Sequence, residues 1–246
     1  MIVDLRKNPS IPSLVSQKTI QKECIPILQE ITSALKKEYK KNIHSIYLYG
    51  SFSRGDGVFK KSDLDLFVIT NGKIKFRERE KQLNEKYKDY FIDTNLLSKE
   101  YNEVRKDTYG WMAFLKLFCV CVKGEDLTNK NKEYKVTNNL IKGFIEDEEV
   151  LLLGYKRVDS PLRREKISKL IIRSLYYASL DKHLQWTTVL KEQILVLKKQ
   201  FPEYQKRIDI LEQVIKDSSL FSDKQLEEAA KPLQKVILRR AKELKD

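Results

Sequence analysis

Two aspartates, Asp63 and Asp65, flank a leucine at the start of an apolar run that continues to Ile69. Acids alternating with apolar residues predict a strand, in which residues i and i+2 point to the same face. We therefore expect the two carboxylates side by side, with backbones roughly 6–7 Å apart by the strand rise. Like charges this close repel each other unless a cation lies between them. Mg²⁺ binds one or two carboxylates and completes its shell with water and substrate phosphates, so the pair predicts phosphate chemistry.

A glycine and a serine, Gly50 and Ser51, precede this pair and end a predicted strand over residues 44–50. Gly50 has no Cβ, so the backbone there can approach a ligand closely. Backbone N–H groups at the start of the next turn, together with the Ser51 hydroxyl, can hold anionic oxygens. Arg54 in the same turn either binds phosphate oxygens through its planar guanidinium or lies in solvent. The spacing to the acid pair makes this segment a predicted phosphate-binding turn.

Asp93 is a third acid, within an apolar segment predicted to be a strand over residues 90–97. A charge on the core side of such a strand would be costly. If this strand lies beside the one that carries the acid pair, Asp93 joins the cluster as a metal ligand or as the general base. The alternative is an ordinary solvent-facing position. Carboxylates of the C-terminal half, such as Glu146 or Asp181, are the other candidates for the base.

The pattern of apolar residues divides the chain into two halves. The first half combines a helix with apolar positions from Ile20 to Leu35, kinked at Pro26 and ending near residues 40–42, with the three strands and a charged helix over 75–88. The apolar run 111–122 is predicted to be a buried helix. Beyond it lie a polar linker over 128–135 and then helices only, predicted at 138–154, 161–182, 187–200, 204–217 and 222–244. The fold class is therefore α+β, with a first domain over 1–127 and an all-helical bundle over 136–246.

The composition excludes several classes of protein. Cys24, Cys119 and Cys121 are an odd number, and with only two histidines a zinc site is not expected. No apolar run reaches the length of a membrane span, and no signal peptide begins the chain, so we expect a cytoplasmic protein. The net charge of +13 is spread along the sequence. A positive charge spread in this way can attract a polyphosphate such as ATP. It is less typical of a nucleic-acid-binding protein, since such proteins concentrate positive charge on one face.

These motifs resemble a known superfamily. The segment from Tyr49 to Gly55, with Ser62 to Leu66, is similar to the signature of the DNA polymerase β-type nucleotidyltransferases, and Asp93 resembles their third strand acid. Within that superfamily the chain looks most like the bacterial aminoglycoside (antibiotic) adenylyltransferases, which pair this domain with a C-terminal helical domain. Three further segments carry that likeness: 123–127, 172–177 with Arg173, and the region of Lys191.

The resemblance implies an N-terminal nucleotidyltransferase domain with a mixed sheet flanked by helices. It implies transfer of a nucleoside monophosphate, AMP from ATP or another from its triphosphate, onto a hydroxyl of a small acceptor such as an aminoglycoside, and hence antibiotic resistance. In that scheme two Mg²⁺ ions are held by Asp63, Asp65 and Asp93. The residues that it implies for nucleotide binding are Gly50, Ser51, Arg54, Arg173 and Lys191.

Other functions stay open at the level of sequence. Aminoglycosides are polycations, whereas this chain is basic, and the acidic cluster 146–149 is the only one in its helical half. The acceptor could instead be a protein or an RNA. A non-catalytic module that binds nucleotides or nucleic acid on a degenerate version of the fold is a further alternative, against which the intact acid pair argues.

Overall fold

The structure, a computed structural model, describes residues 2–129, 133–145 and 161–244. Its strands are β1 Val3–Asp4, β2 Ser10–Ile11, β3 Ile43–Tyr49, β4 Leu64–Thr70, β5 Thr94–Glu100, β6 Val120–Gly124, β7 Tyr134–Lys135 and β8 Gln185–Trp186. Its helices are α1 Ile25–Tyr39, α2 Gly50–Arg54, α3 Arg77–Tyr87, α4 Tyr101–Lys106, α5 Trp111–Phe118, α6 over the described residues 138–145, α7 Pro161–Ala178, α8 Leu180–His183, α9 Leu190–Gln200, α10 Gln205–Lys216 and α11 Asp223–Glu243. Single 3₁₀ turns occupy Lys22–Cys24, Lys40–Asn42, Pro202–Tyr204 and Ser218–Leu220.

The chain forms two compact units. One consists of Pro12–Glu133, and the other combines Met1–Ile11 with Tyr134–Asp246. The first strands explain why the chain begins in the second unit: β1 pairs with β8 and β2 pairs with β7, both antiparallel. The sequence analysis places residues 1–11 in the first domain instead, and its domain boundaries stay a prediction. No local pattern predicts these two strand pairings, because two-residue strands are too short to produce a periodic pattern.

A four-stranded sheet organises the unit Pro12–Glu133. The strand order is β5-β4-β3-β6, with β4 and β5 parallel and the other two pairs antiparallel. Apolar side chains of α1 and α3 pack on one face, and those of α4 and α5 pack on the other. The prediction of a mixed sheet flanked by helices is therefore confirmed.

The apolar run 111–122, predicted to be one helix, divides into two elements. Helix α5 ends at Phe118, and Val120–Gly124 forms β6 against β3. Both a buried helix and a buried strand produce a continuous apolar run, so periodicity alone does not separate them. The edge of β3 decides the outcome, because its backbone groups need hydrogen-bond partners and β6 supplies them.

Two further boundaries differ from the sequence expectations. Pro26 does not kink a helix; it lies in the first turn of α1, where its missing N–H would have had no acceptor. The third strand begins at Thr94 and not at Tyr90, so Asp93 precedes it. Strand ends are the least certain part of a sequence-based prediction because turn residues and strand residues mix there.

Helix α7 is the centre of the second unit. It packs against α9, α10 and α11, and its Leu175 is fully buried together with Ile208, Leu211 and Leu233. The helical C-terminal region agrees with the prediction, apart from the short strands β7 and β8. Within the described ranges, none of the helices combines the length and the hydrophobicity that a membrane span requires.

Candidate active site

The two predicted metal ligands share one face of the sheet. Asp65 lies in β4, and Asp63 comes just before it. The register pairs Asp65 with Tyr49 on one side and with Asn95 on the other. The Asn95 Nδ2 donates to Asp65 Oδ1 at 2.9 Å and to Asp63 Oδ2 at 3.4 Å. A single amide thus connects both carboxylates, and all three side chains are half-buried and reach solvent.

Gly50 makes room for the carboxylate of Asp65. It begins α2 with φ +75°, and a Cβ added there would collide with Asp65 Oδ2. Any L-residue would also be strained at this φ. The Gly50 carbonyl accepts a hydrogen bond of 2.8 Å from Ser53 Oγ, which fixes the turn. The predicted need for glycine therefore has two causes: backbone conformation and the space that Asp65 occupies.

Helix α2 is anchored by its buried side. Phe52 is fully buried, and its ring packs edge-on against Phe91 at 5.1 Å between centroids. Ser51 is half-buried, and its hydroxyl makes no hydrogen bond within the described parts of the chain. Arg54 pairs with Asp56, with Nη2 3.1 Å from Oδ1 and Nε 3.3 Å from Oδ2. The arginine is therefore held by a carboxylate in its own turn.

Tyr49 on β3 is the neighbour of Asp65 on the side opposite to Asn95. Burial first, and the carboxylate of Asp65 second, raise the pKa of the Tyr49 hydroxyl. Both effects disfavour a phenolate, since it would be a further negative charge in a partly dry site. The Tyr49 hydroxyl consequently stays protonated and uncharged beside the acid pair. Its ring packs edge-on against Phe114, with 5.3 Å between the ring centroids.

Asp93 does not join the acid pair. Its backbone lies beside the pair, because the Leu64 N–H donates to the Asp93 carbonyl at 2.8 Å. Its carboxylate, however, accepts a hydrogen bond of 3.3 Å from Asn84 Nδ2 on α3. Asn84 also accepts from the Thr94 N–H, and Glu80 accepts from the Leu96 N–H at 2.7 Å. Two side chains of α3 thus satisfy the free edge of β5, and one of them holds Asp93.

In this structure the Asp93 carboxylate contacts Asn84 and not the acid pair, so its role in the site stays a prediction. Across the described residues, no group of three or more His, Cys, Asp or Glu side chains is arranged to hold a metal ion. The missed member of the site is Asn95, which occupies the position beside Asp65 where a third acid was expected. A signal for it exists in the sequence: Asn95 follows Asp93 by two residues, so both belong to the same face of the predicted strand.

Two carboxylates still suit Mg²⁺. The ion takes hard oxygen ligands and keeps several positions for water and substrate phosphates, so it does not require a third acid. Because Gly50 has no Cβ, the Asp65 carboxylate lies directly against the predicted phosphate-binding turn. The residues present therefore fit a magnesium ion held by Asp63 and Asp65.

The other predicted residues belong to the second unit. Arg173 is half-buried on α7, and Lys191 is exposed in the first turn of α9. Asp181, a candidate base, is in an ion pair with Arg240. Glu146 and the rest of the acidic cluster 146–149 lie outside the described residues.

The chain is similar to several known proteins. Residues 29–108 match the family described as Polymerase beta, Nucleotidyltransferase. A protein of Methanocaldococcus jannaschii named "Putative protein adenylyltransferase" is 29% identical over 117 residues, which cover 47% of this chain and 88% of that protein. The crystal structure of spectinomycin adenyltransferase AAD(9) from Enterococcus faecialis with ATP and spectinomycin has a similar fold. It aligns with a TM-score of 0.56 and 14% sequence identity over 90% of this chain and 99% of that one.

Proposed function

The chain carries a nucleotidyltransferase domain of the polymerase β type, and from this premise we propose that it is a Mg²⁺-dependent enzyme that transfers AMP from ATP to a hydroxyl of a small acceptor. The observation that carries the proposal is the acid pair Asp63 and Asp65 on one sheet face, with Gly50 leaving space against Asp65. ATP and Mg²⁺ are both plentiful in the cytoplasm, where we expect the enzyme to act.

In this reaction an acceptor oxygen attacks the α-phosphorus of ATP. The bond from that phosphorus to the bridging oxygen breaks, pyrophosphate leaves with the electron pair, and the hydroxyl proton passes to a base. Mg²⁺, when bound, neutralises the charge on the attacking and leaving oxygens. Asp63 and Asp65 would hold it, and the Ser51 hydroxyl and backbone N–H groups of its turn would bind phosphate oxygens.

We propose Asp93 as the base. Its backbone carbonyl accepts from the Leu64 N–H, beside Asp63. To act as the base, its carboxylate would leave Asn84 and turn toward the acid pair. The competing candidate Asp181 is held by Arg240. Arg173 and Lys191 remain proposed nucleotide contacts from the second unit, and Arg54 would need to exchange Asp56 for a phosphate.

A small-molecule acceptor is favoured by the extent of the structural likeness. The fold shared with AAD(9), whose structure contains ATP and spectinomycin, covers 90% of this chain. That extent requires the helical unit as well as the sheet. We therefore propose an aminoglycoside or a related hydroxylated antibiotic as the acceptor, and resistance to it as the biological outcome.

A protein acceptor is the second candidate. It is supported by the relative from Methanocaldococcus jannaschii, because that likeness is at the level of sequence. The match covers only 47% of this chain, so the relative gives no account of the remainder.

One screen decides between these acceptors. Purified protein is incubated with MgCl₂ and ATP labelled at the α-phosphate, with spectinomycin, a panel of aminoglycosides, RNA or cell lysate added separately. We expect the label on a small molecule, resolved by thin-layer chromatography, and only in the presence of MgCl₂. Label on a lysate protein would select the second candidate, and no label on any acceptor would contradict the proposal.

A further inference from the structure

We propose that Asn95 is a positioning residue that takes the place of a cation between Asp63 and Asp65 while no Mg²⁺ is bound. The inference rests on the proposed function, since it assumes that these two carboxylates hold the metal. It assigns to Asn95 the role of stabilising the acid pair until Mg²⁺ binds.

The sheet register is what brings Asn95 to this position. In the parallel pair β4 and β5, Asn95 is the direct neighbour of Asp65. Its Nδ2 lies 2.9 Å from Asp65 Oδ1 and 3.4 Å from Asp63 Oδ2. An asparagine amide has two N–H donors, so it can give one to each carboxylate. Both donors are directed at the two groups that would otherwise repel each other.

The chemistry of an amide explains why this residue type suits the task. A neutral donor stabilises two adjacent carboxylates without adding a positive charge that would compete permanently with Mg²⁺. An aspartate at 95 would place a third negative charge in the row, and a leucine would remove both donors at nearly the same size. Either variant removes the two amide donors, so we expect the metal-free protein to be less stable and more dependent on a cation.

This arrangement predicts how the metal arrives. Because the Asn95 amide donates to both acids, we expect the protein to fold without free Mg²⁺. The ion can then enter together with the triphosphate, whose oxygens supply the rest of its shell. Asn95 thereby lowers the affinity of the acid pair for free Mg²⁺. It also keeps the two carboxylates side by side, in position to bind Mg²⁺ that arrives with the triphosphate.

The test compares melting temperatures of the wild type, Asn95→Leu and Asn95→Asp, each in EDTA and in saturating MgCl₂. In EDTA we expect Asn95→Leu to melt about 4 °C lower than the wild type and Asn95→Asp lower still. Addition of MgCl₂ should raise the melting temperature of both variants more than that of the wild type, most for Asn95→Asp. Mn²⁺ binding measured by electron paramagnetic resonance should tighten about tenfold in Asn95→Asp.

Asn102→Asp is the matched control, because it adds the same charge at an exposed position on α4, beyond the far end of β5. It should change neither the melting temperature in EDTA nor the MgCl₂ effect. If Asn95→Asp does not fold, Asn95→Leu still decides the question.

Two results would overturn the inference. One is an unchanged melting temperature of Asn95→Leu in EDTA. The other is a lower melting temperature with the same MgCl₂ effect as the wild type, which is what a purely structural role gives. Asp63→Asn and Asp65→Asn separate this failure from that of the proposed function. If both lose Mn²⁺ binding, the metal site stands and only the role of Asn95 fails; if both keep it, the metal site itself is wrong.

Discussion

Two carboxylate sites, one in each unit of the molecule, are stabilised in different ways. In the helical unit, Asp223 at the start of α11 receives hydrogen bonds from two guanidinium groups of α7. In the sheet unit, Asp63 and Asp65 share the neutral amide of Asn95. Two arginines neutralise a carboxylate and fix it as part of the fold. A neutral amide only donates hydrogen bonds, so the carboxylates keep their negative charge for a cation. The difference indicates which acids serve the structure and which are kept for a ligand.

The largest effect should follow from removing charge at the acid pair. Asp63→Asn or Asp65→Asn should lower the transfer rate about 1,000-fold, because the metal would lose a charged ligand worth several kcal/mol in the transition state. The melting temperature should stay within a few degrees of the wild type. The rate is measured from incorporation of α-labelled ATP, and Asp223→Asn, at a carboxylate held by two arginines in the helical unit, is the control. Normal rates in both variants would remove the distinction between the two kinds of carboxylate.

A smaller loss is expected from Asp93→Asn. The amide keeps an oxygen that can accept from Asn84 but cannot take a proton, so a base at this position would be lost while its hydrogen bond survives. General bases contribute about 100-fold or more to rate, and we expect a loss of about that size in kcat with KM for ATP unchanged. A kcat equal to that of the wild type would assign Asp93 to the structural class, together with Asp223.

Gly50→Ala tests the space beside Asp65. The added Cβ meets Asp65 Oδ2, so the carboxylate must shift; we expect about a tenfold fall in rate and a loss of about 1–2 kcal/mol in stability from the positive φ. Gly72→Ala is the matched control, since its φ of +114° is also unfavourable but its Cβ would meet nothing within 4 Å. It should lose stability and keep its activity. Equal loss of activity in both variants would show that crowding at Asp65 is not the cause.

The smallest effect concerns the helical unit. Arg164 donates to Asp223 at 3.1 Å and to the Ser218 carbonyl at 3.0 Å, and its side chain is 14% exposed. Asp223 is 37% exposed and is also bonded by Arg163, so solvent and the second arginine moderate the cost. Arg164→Ala should therefore reduce the free energy of unfolding by about 1–2 kcal/mol, measured by urea denaturation. Transfer activity per folded molecule should not change, and a selective loss of activity would contradict a structural role.

The acid pair could be predicted from sequence because it depends on local rules. Strand alternation alone directs Asp63 and Asp65 to one face, and the glycine before them follows from the need for close approach. The same rules gave the mixed α+β architecture of the first unit and the helices of the second, since long periodic segments determine their own type.

What the sequence could not supply depends on contacts between distant segments. Asp93 and Asn95 share one face of a predicted strand, and only the register of β5 against β4, with Asn84 on α3, decides which of them meets the acid pair. The pairing of Val3–Asp4 with Gln185–Trp186 joins residues far apart in the chain, and no local pattern marks it. The strand β6 likewise required knowledge of the free edge of β3.

The most direct test of nucleotidyl transfer follows the two ends of ATP. Parallel reactions with the acceptor identified by the screen use ATP labelled at the α-phosphate or at the γ-phosphate. The account predicts that the α label becomes attached to the acceptor and that the γ label is recovered as pyrophosphate in equal amount, in both cases only with MgCl₂. Attachment of the γ label to the acceptor, or its release as inorganic phosphate, would contradict it.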